Sequence, residues 1–148
     1  MFAKSLNLHQ KKLLIVLAYR IMVADYKIRP EESELLNALE NELGVEDLLS
    51  DEEMRTQPDL SLLDTREARV GTMLKLYAIA HSDADFHQSE RVKLVDYGRL
   101  LGFDDATLDR MDRWGRQHTD LVIEAAALAN EGGEVVSLDS ARRVIDAI

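Results

Sequence analysis

Two stretches of this chain carry the same pattern, and this internal repeat constrains the fold more than any other feature of the sequence. Residues 25–32 read DYKIRPEE and residues 83–90 read DADFHQSE, each with Asp first, an apolar residue fourth and Glu eighth. A shift of 58 places aligns 26 positions without a gap. The shift pairs Tyr19 with Tyr77, Ile21 with Ile79, Leu36 with Leu94, Leu43 with Leu101 and Gly44 with Gly102. Because sequence repeats mark equivalent structural units, we expect two related helix-loop-helix units.

The pattern around the repeat predicts an all-α fold in one domain spanning residues 1–148. A chain of 148 residues suits a single compact domain. Apolar residues recur at helical spacing, without the alternation typical of strands. Helices are predicted from Leu8 to Ala24, from Pro30 to Leu43, near Ser50, from Asp64 to His81, from the end of the loop Ser82–His87 to Leu101, from Asp104 through Ala129 and from Leu138 to Ile148. We therefore expect a bundle of about seven helices built on two pseudo-symmetric repeats.

Local signals mark where several of these helices begin and end. Capping pairs three residues apart precede apolar runs; they are Asn7 with Gln10, Ser50 with Glu53, and Asp64 with Glu67. Asp104 or Asp105 is expected to cap the sixth helix, and Gly115 to weaken or bend it. The first helix is apolar on nearly all faces from Leu13 to Val23, which predicts a central position.

Composition excludes several classes of protein. The net charge of −10 argues against nucleic-acid binding, since a phosphate backbone requires a basic face. Cys is absent, which removes disulfides, thiol catalysis and Cys-ligated zinc. The apolar run Leu13–Ala18 is too short to span a bilayer and lacks a signal-peptide pattern. We expect a cytoplasmic protein that does not insert into a membrane.

The carboxylates of the two motifs are candidate ligands for a divalent cation. Each Asp lies at the end of one helix and each Glu in the first turn of the next, so a short loop brings them together. Hard oxygen ligands of this kind suit Ca²⁺ or another hard divalent cation. The candidate metal ligands are Asp83, Asp85, Glu90, Asp25 and Glu32. An alternative is purely structural, with each Glu stabilising a helix N-terminus and each Asp satisfying loop N–H groups.

The two copies are not equal. Asp83 and Asp85 are two apart, as at the opening of an EF-hand loop. The first copy has Lys27 in place of Asp85, which lowers its negative charge and predicts weaker cation binding.

Other residues indicate no catalytic site. No Gly-rich phosphate loop or nucleophile signature is present, so the chain is not expected to be an enzyme. His81 and His87 bracket the second motif and are expected to be solvated. Three arginines, Arg110, Arg113 and Arg116, form a helical stripe that is either an anion or partner patch or an ordinary exposed face.

The duplicated motif, with its flanks Tyr19–Asp25 and Leu76–Asp83, resembles the TerB-like tellurite-resistance family over approximately Leu13 to Leu128. The resemblance implies an all-α fold of about seven helices whose acidic residues hold divalent cations, here at Asp25, Glu32, Asp83 and Glu90. It also implies a non-enzymatic stress-response module that docks on protein partners, including membrane-associated complexes. The family's usual Gly after the Asp is replaced by Tyr26 and Ala84, a change that is more severe in the first loop.

Related domains occur in membrane-anchored DnaJ-like co-chaperones. They provide the alternative function, a protein-interaction domain that binds no metal and uses its acidic residues only as helix caps. A role in tellurite resistance would be indirect, since a chain without Cys cannot reduce tellurite through its own thiols.

Overall fold

A computed structural model describes residues 5–25, 30–82, 86 and 88–131, with the backbone alone at residues 25 and 30–32. This part of the chain contains six α-helices and no strand. They are α1 (Leu8–Met22), α2 (Pro30–Leu43), α3 (Asp51–Arg55), α4 (Arg66–Ser82), α5 (Gln88–Leu100) and α6 (Asp105–Asn130). Short 3₁₀ turns lie at Val23–Asp25 and Leu60–Leu62. The all-α prediction is confirmed. The seventh predicted helix, Leu138–Ile148, lies outside the described residues, and the repeat symmetry and the single-domain extent stay predictions.

Helix α1 occupies the centre of the described bundle, as its apolar sequence predicts. Six consecutive residues, Leu13–Ala18, are buried, so the helix is covered on every side. It contacts α2, α3, α4 and α5. Among the described helices, none is long and apolar enough to cross a membrane.

Two of the predicted capping pairs are confirmed. Asn7 with Gln10 and Ser50 with Glu53 both form reciprocal capping boxes. The start predicted for α4 was wrong, because the Thr65 hydroxyl accepts from the Ala68 N–H at 3.0 Å and takes the capping role. The carboxylate of Asp64 instead accepts from the side chain of Gln10 at 3.2 Å.

Helices α2 and α5 end in the same way. Gly44 and Gly102 have φ values of 68° and 94°, a conformation that favours glycine. In each case the glycine N–H donates to the carbonyl three residues earlier, and the next residue donates to the carbonyl five residues earlier. This is the Schellman arrangement, and it buries the residue after each glycine, Val45 and Phe103.

Helices α4 and α6 form the most extensive helix pair of the described structure. Gly115 lies directly against α4, since an added Cβ would lie 2.9 Å from the carbonyl carbon and the Cβ of Tyr77. Gly115 was expected to weaken or bend α6. It lies instead within one helix from Asp105 to Asn130, and it permits the close approach of α4.

Candidate cation site at the second loop

The helix bounds place both motif loops where the sequence predicts. A 3₁₀ turn at Val23–Asp25 follows α1, and α2 begins at Pro30. Helix α4 ends at Ser82, and α5 begins at Gln88. Glu32 and Glu90 are therefore the third residues of α2 and α5.

The structure does not describe the side chains of four of the five predicted ligands. The side chains of Asp25 and Glu32, and all of Asp83 and Asp85, lie outside the described residues. The ligand set as a whole therefore stays a prediction, and Glu90 is the member whose surroundings are described.

Glu90 lies in an apolar environment. Its relative exposure is 2%. It lines a cleft of about 280 Å³, a volume that includes the open mouth. The other lining residues are Ala18, Ile21, Met22, Leu35, Leu76, Ile79 and Ala80. Burial of a carboxylate among such groups is costly unless hydrogen bonds or positive charge compensate for the lost water. A glutamate whose only role was a favourable interaction with the helix dipole could make that interaction at the surface, without the cost of removing its carboxylate from water.

The cleft lies between four helices. Its lining comes from α1, α2, α4 and α5. Helix α5 also contacts the Val23–Asp25 turn, the last described segment before the first loop. Helix α5 and the entrance to the first loop are therefore neighbours in the fold.

A charged cluster connects the flanks of the second loop to α6. The Nε2 atom of His81, in the last turn of α4, contacts Oδ1 of Asp112. Arg91, in the first turns of α5, donates from Nη1 to Oδ2 of the same carboxylate at 2.5 Å. The His81 side chain is 9% exposed, so the prediction that it is solvated was wrong. His87 lies outside the described residues.

The apolar residue at the fourth place of the motif, Phe86, lies between these two partners. Its ring meets the His81 ring edge to face, with 5.1 Å between centroids. The Arg91 guanidinium carbon lies 4.4 Å from the ring centroid, within the range of a cation–π interaction. The fourth place of the motif is therefore a packing position.

Tyr77 lies on α4 beside this cluster. Burial raises the pKa of its phenol to about 12, and the negative charge of Asp112 contributes in the same direction. Tyr77 is 1% exposed, whereas Tyr19, with which the shift of 58 places pairs it, is only partly buried.

Sequence reasoning missed Asp112. It lies 31 residues from His81 and 21 residues from Arg91, and no local motif connects it to them. The one sequence feature that could have pointed to Asp112 is its position next to Met111, in the apolar stripe that faces the core.

The described residues contain no group of three or more His, Asp or Glu side chains able to hold a metal ion. Comparisons with known proteins add no assignment: no family model matches the chain, and neither does any curated protein or solved structure.

Proposed function

We propose that this chain is a non-enzymatic, cytoplasmic stress-response module of the TerB-like, tellurite-resistance type. In this proposal it binds Ca²⁺ or another divalent cation through its acidic helix-loop-helix motifs and docks on a partner protein. The observation that carries the proposal is the burial of Glu90 at the third position of α5, with a relative exposure of 2%.

A divalent ion near Glu90 would place positive charge beside this buried carboxylate, in addition to the contacts that Glu90 makes within the fold. Asp83 and Asp85 precede Glu90 by seven and five residues, and they supply further hard oxygen ligands. The Val23–Asp25 turn lies against α5, so the first motif begins beside the helix that carries Glu90.

The two motifs contribute unequally. Lys27 replaces Asp85, and Tyr26 follows Asp25 where the family usually has Gly. We therefore assign the principal cation to the second motif, with Asp25 and Glu32 in a weaker or supporting role.

A calcium titration followed by ¹H–¹⁵N NMR tests this assignment. Saturable shifts are expected at residues 82–91 in the wild-type protein. They are expected to disappear in Asp83→Ala and to weaken in Glu90→Gln, which retains the shape of the side chain. Glu52→Gln is the matched control, since Glu52 is an exposed acid on α3. Absence of any saturable shift at millimolar Ca²⁺, Mg²⁺ or Mn²⁺ would refute cation binding and favour the metal-free, co-chaperone type of interaction domain.

The docking part of the proposal is supported by exposed apolar side chains at the end of α6. Leu121 and Leu128 are both 59% exposed and lie two turns apart on one face of α6. Exposed apolar residues near one another are typical of interaction surfaces. The stripe Arg110, Arg113 and Arg116 on the same helix is also exposed, as predicted.

Affinity capture with paired variants tests the docking surface. A Leu121→Asp/Leu128→Asp double variant is expected to lose the proteins that the wild type retains from stressed cells. Leu100→Asp is the control, because Leu100 is 72% exposed on a different helix. If the wild type, the double variant and Leu100→Asp all retain the same proteins, the docking surface does not include Leu121 and Leu128.

A further inference from the structure

A largely apolar stripe follows the side of α6, apart from the face that is buried in the core. Its members alternate at spacings of four and three residues; they are Trp114, His118, Leu121, Ala125 and Leu128. We call this set the outer stripe. The buried residues of the same helix are Leu108, Met111, Gly115, Val122 and Ala126. At 3.6 residues per turn the two sets point in directions about 90° apart, so the outer stripe faces sideways from the core.

The spacing of the outer stripe is that of a helix-pairing seam. A repeat of about 3.5 residues is the one at which two helices wind around each other in a left-handed coiled coil. Leu121 and Leu128 are both 59% exposed, so the C-terminal half of this seam lies at the surface. Towards the other end, the partly buried rings of Trp114 and His118 meet edge to face, with 5.1 Å between centroids. Helix α6 therefore presents at the surface the pattern by which one helix binds another.

Charged and polar residues border the outer stripe along one edge. They recur at intervals of seven residues, and all are exposed; they are Arg110, Gln117, Glu124 and Glu131. The charge of this edge changes from positive near the start of α6 to negative at its end. In a helix pair, residues at these positions contact the partner helix and determine its orientation.

Of the two possible orientations of a second α6, charge favours the antiparallel one. In a parallel pair the charged edge would meet the opposite edge of the partner's seam. That opposite edge carries no charge; its residues are Gly115, Val122 and Ala129. In an antiparallel pair of identical helices the two charged edges meet each other, and Arg110 lies opposite Glu131 at both ends. The two-fold axis then passes beside Leu121.

We propose that the outer stripe binds a second copy of this chain, in an antiparallel helix pair across a two-fold axis beside Leu121. The surface is complementary to itself, so the assembly closes as a dimer and does not extend into a filament. This inference names the partner of the docking surface and rests on the docking part of the proposed function. It is independent of cation binding.

Analytical ultracentrifugation of the purified full chain tests the dimer. A single helix pair is a small interface, so the measurement covers about 10 μM to 1 mM protein at low salt. We expect a monomer–dimer equilibrium in the wild type. Leu121→Asp places two carboxylates beside the two-fold axis in place of two apolar side chains, and we expect it to weaken the dimer by about a hundredfold.

Charge reversal tests the antiparallel orientation. Arg110→Glu and Glu131→Arg each turn two attractions into two repulsions, so each should weaken the dimer by about tenfold. The double variant Arg110→Glu/Glu131→Arg restores both attractions with exchanged signs, and we expect its affinity to return to that of the wild type. Arg116→Glu is the matched control, since Arg116 is exposed on the opposite side of the helix from the outer stripe. Circular dichroism and the melting temperature show that each variant is folded.

The outcomes separate this inference from the proposed function. A wild type that stays monomeric up to about 1 mM overturns the dimer; loss of captured cellular proteins by the Leu121→Asp/Leu128→Asp variant would then still support docking on another protein. A dimer that Leu121→Asp does not weaken overturns the assigned surface. A dimer that the double charge variant does not restore overturns the antiparallel pairing. If the dimer behaves as expected and capture is unchanged in the Leu121→Asp/Leu128→Asp variant, self-association stands and docking on another protein through this surface fails.

Discussion

Substitution of Gly115 by Ala tests the close approach of α6 to the backbone of α4. The added Cβ would lie 2.9 Å from the carbonyl carbon and the Cβ of Tyr77, and 3.0 Å from its carbonyl oxygen. These atoms belong mostly to the backbone of α4, so they cannot move aside without displacing the helix. Gly115→Ala should therefore push α4 and α6 apart along their whole interface.

Two opposing effects determine how much Gly115→Ala changes the free energy of unfolding. Replacement of Gly by Ala inside a helix gains about 1 kcal/mol of helix propensity. Overpacking of a close-packed site costs about 1–3 kcal/mol. We expect a cost near the upper end of this range, because the α4 backbone at Tyr77 is rigid. The free energy of unfolding should fall by about 2 kcal/mol. For a domain of this size that is a decrease of about 4–8 °C in melting temperature.

Gly98→Ala is a matched comparison. Gly98 also lies inside a helix, and its added Cβ would come within 2.3 Å of a methyl group of Leu108. That methyl group is the end of a flexible side chain, so a rotamer change relieves the contact. Urea unfolding followed by circular dichroism and by the fluorescence of Trp114 should rank the proteins as wild type, Gly98→Ala and Gly115→Ala in decreasing stability. A Gly115→Ala protein as stable as the wild type would refute the assigned close approach.

Two further predictions concern single polar groups. Gln10 is 4% exposed and donates to the carbonyl of Leu62 at 3.0 Å. Because Gln10→Met removes the donor from this acceptor, it should lower the free energy of unfolding by about 1–3 kcal/mol in urea denaturation. An unchanged urea midpoint would contradict this expectation. Asp104 accepts hydrogen bonds from Thr107, which hold the pKa of its carboxyl below 3.8. A lowered folded-state pKa stabilises the fold above the usual carboxyl pKa, and this effect is lost as the pH falls through the lowered value. Asp104→Ala should therefore melt at a lower temperature than the wild type at pH 7, and the two melting temperatures should converge as the pH falls below the usual carboxyl pKa. A constant difference between the two proteins over this acid titration would contradict the assignment.

Local features of the fold could be predicted because their causes lie within a few residues. Pro30 begins α2, and Gly44 and Gly102 end α2 and α5, since each residue has a conformational preference that acts without the rest of the chain. The central position of α1 follows from its apolar faces in the same way.

Contacts between distant residues could not be predicted. The pairing of Asp112 with His81 and Arg91 depends on how α6 packs against α4 and α5, and no sequence signal encodes that packing. Gly115 illustrates the same limit. Its low helix propensity predicted a weakened or bent helix. In the structure its small size allows the backbone of Tyr77 to lie close to α6. Thr65 caps α4 because Asp64 is engaged by Gln10, a contact across 54 residues.

The length of α6 has a mechanical consequence. Its 26 residues extend over about 39 Å, and Gly115 lies near the middle, in contact with α4. Asp112 is about 4.5 Å along the axis on one side of this fulcrum, and Leu128 is about 20 Å along the axis on the other. A tilt of about 5° around Gly115 moves Leu128 by about 2 Å and Asp112 by about 0.4 Å. A tilt of α6 around Gly115 would therefore displace Leu128 about four times as far as Asp112.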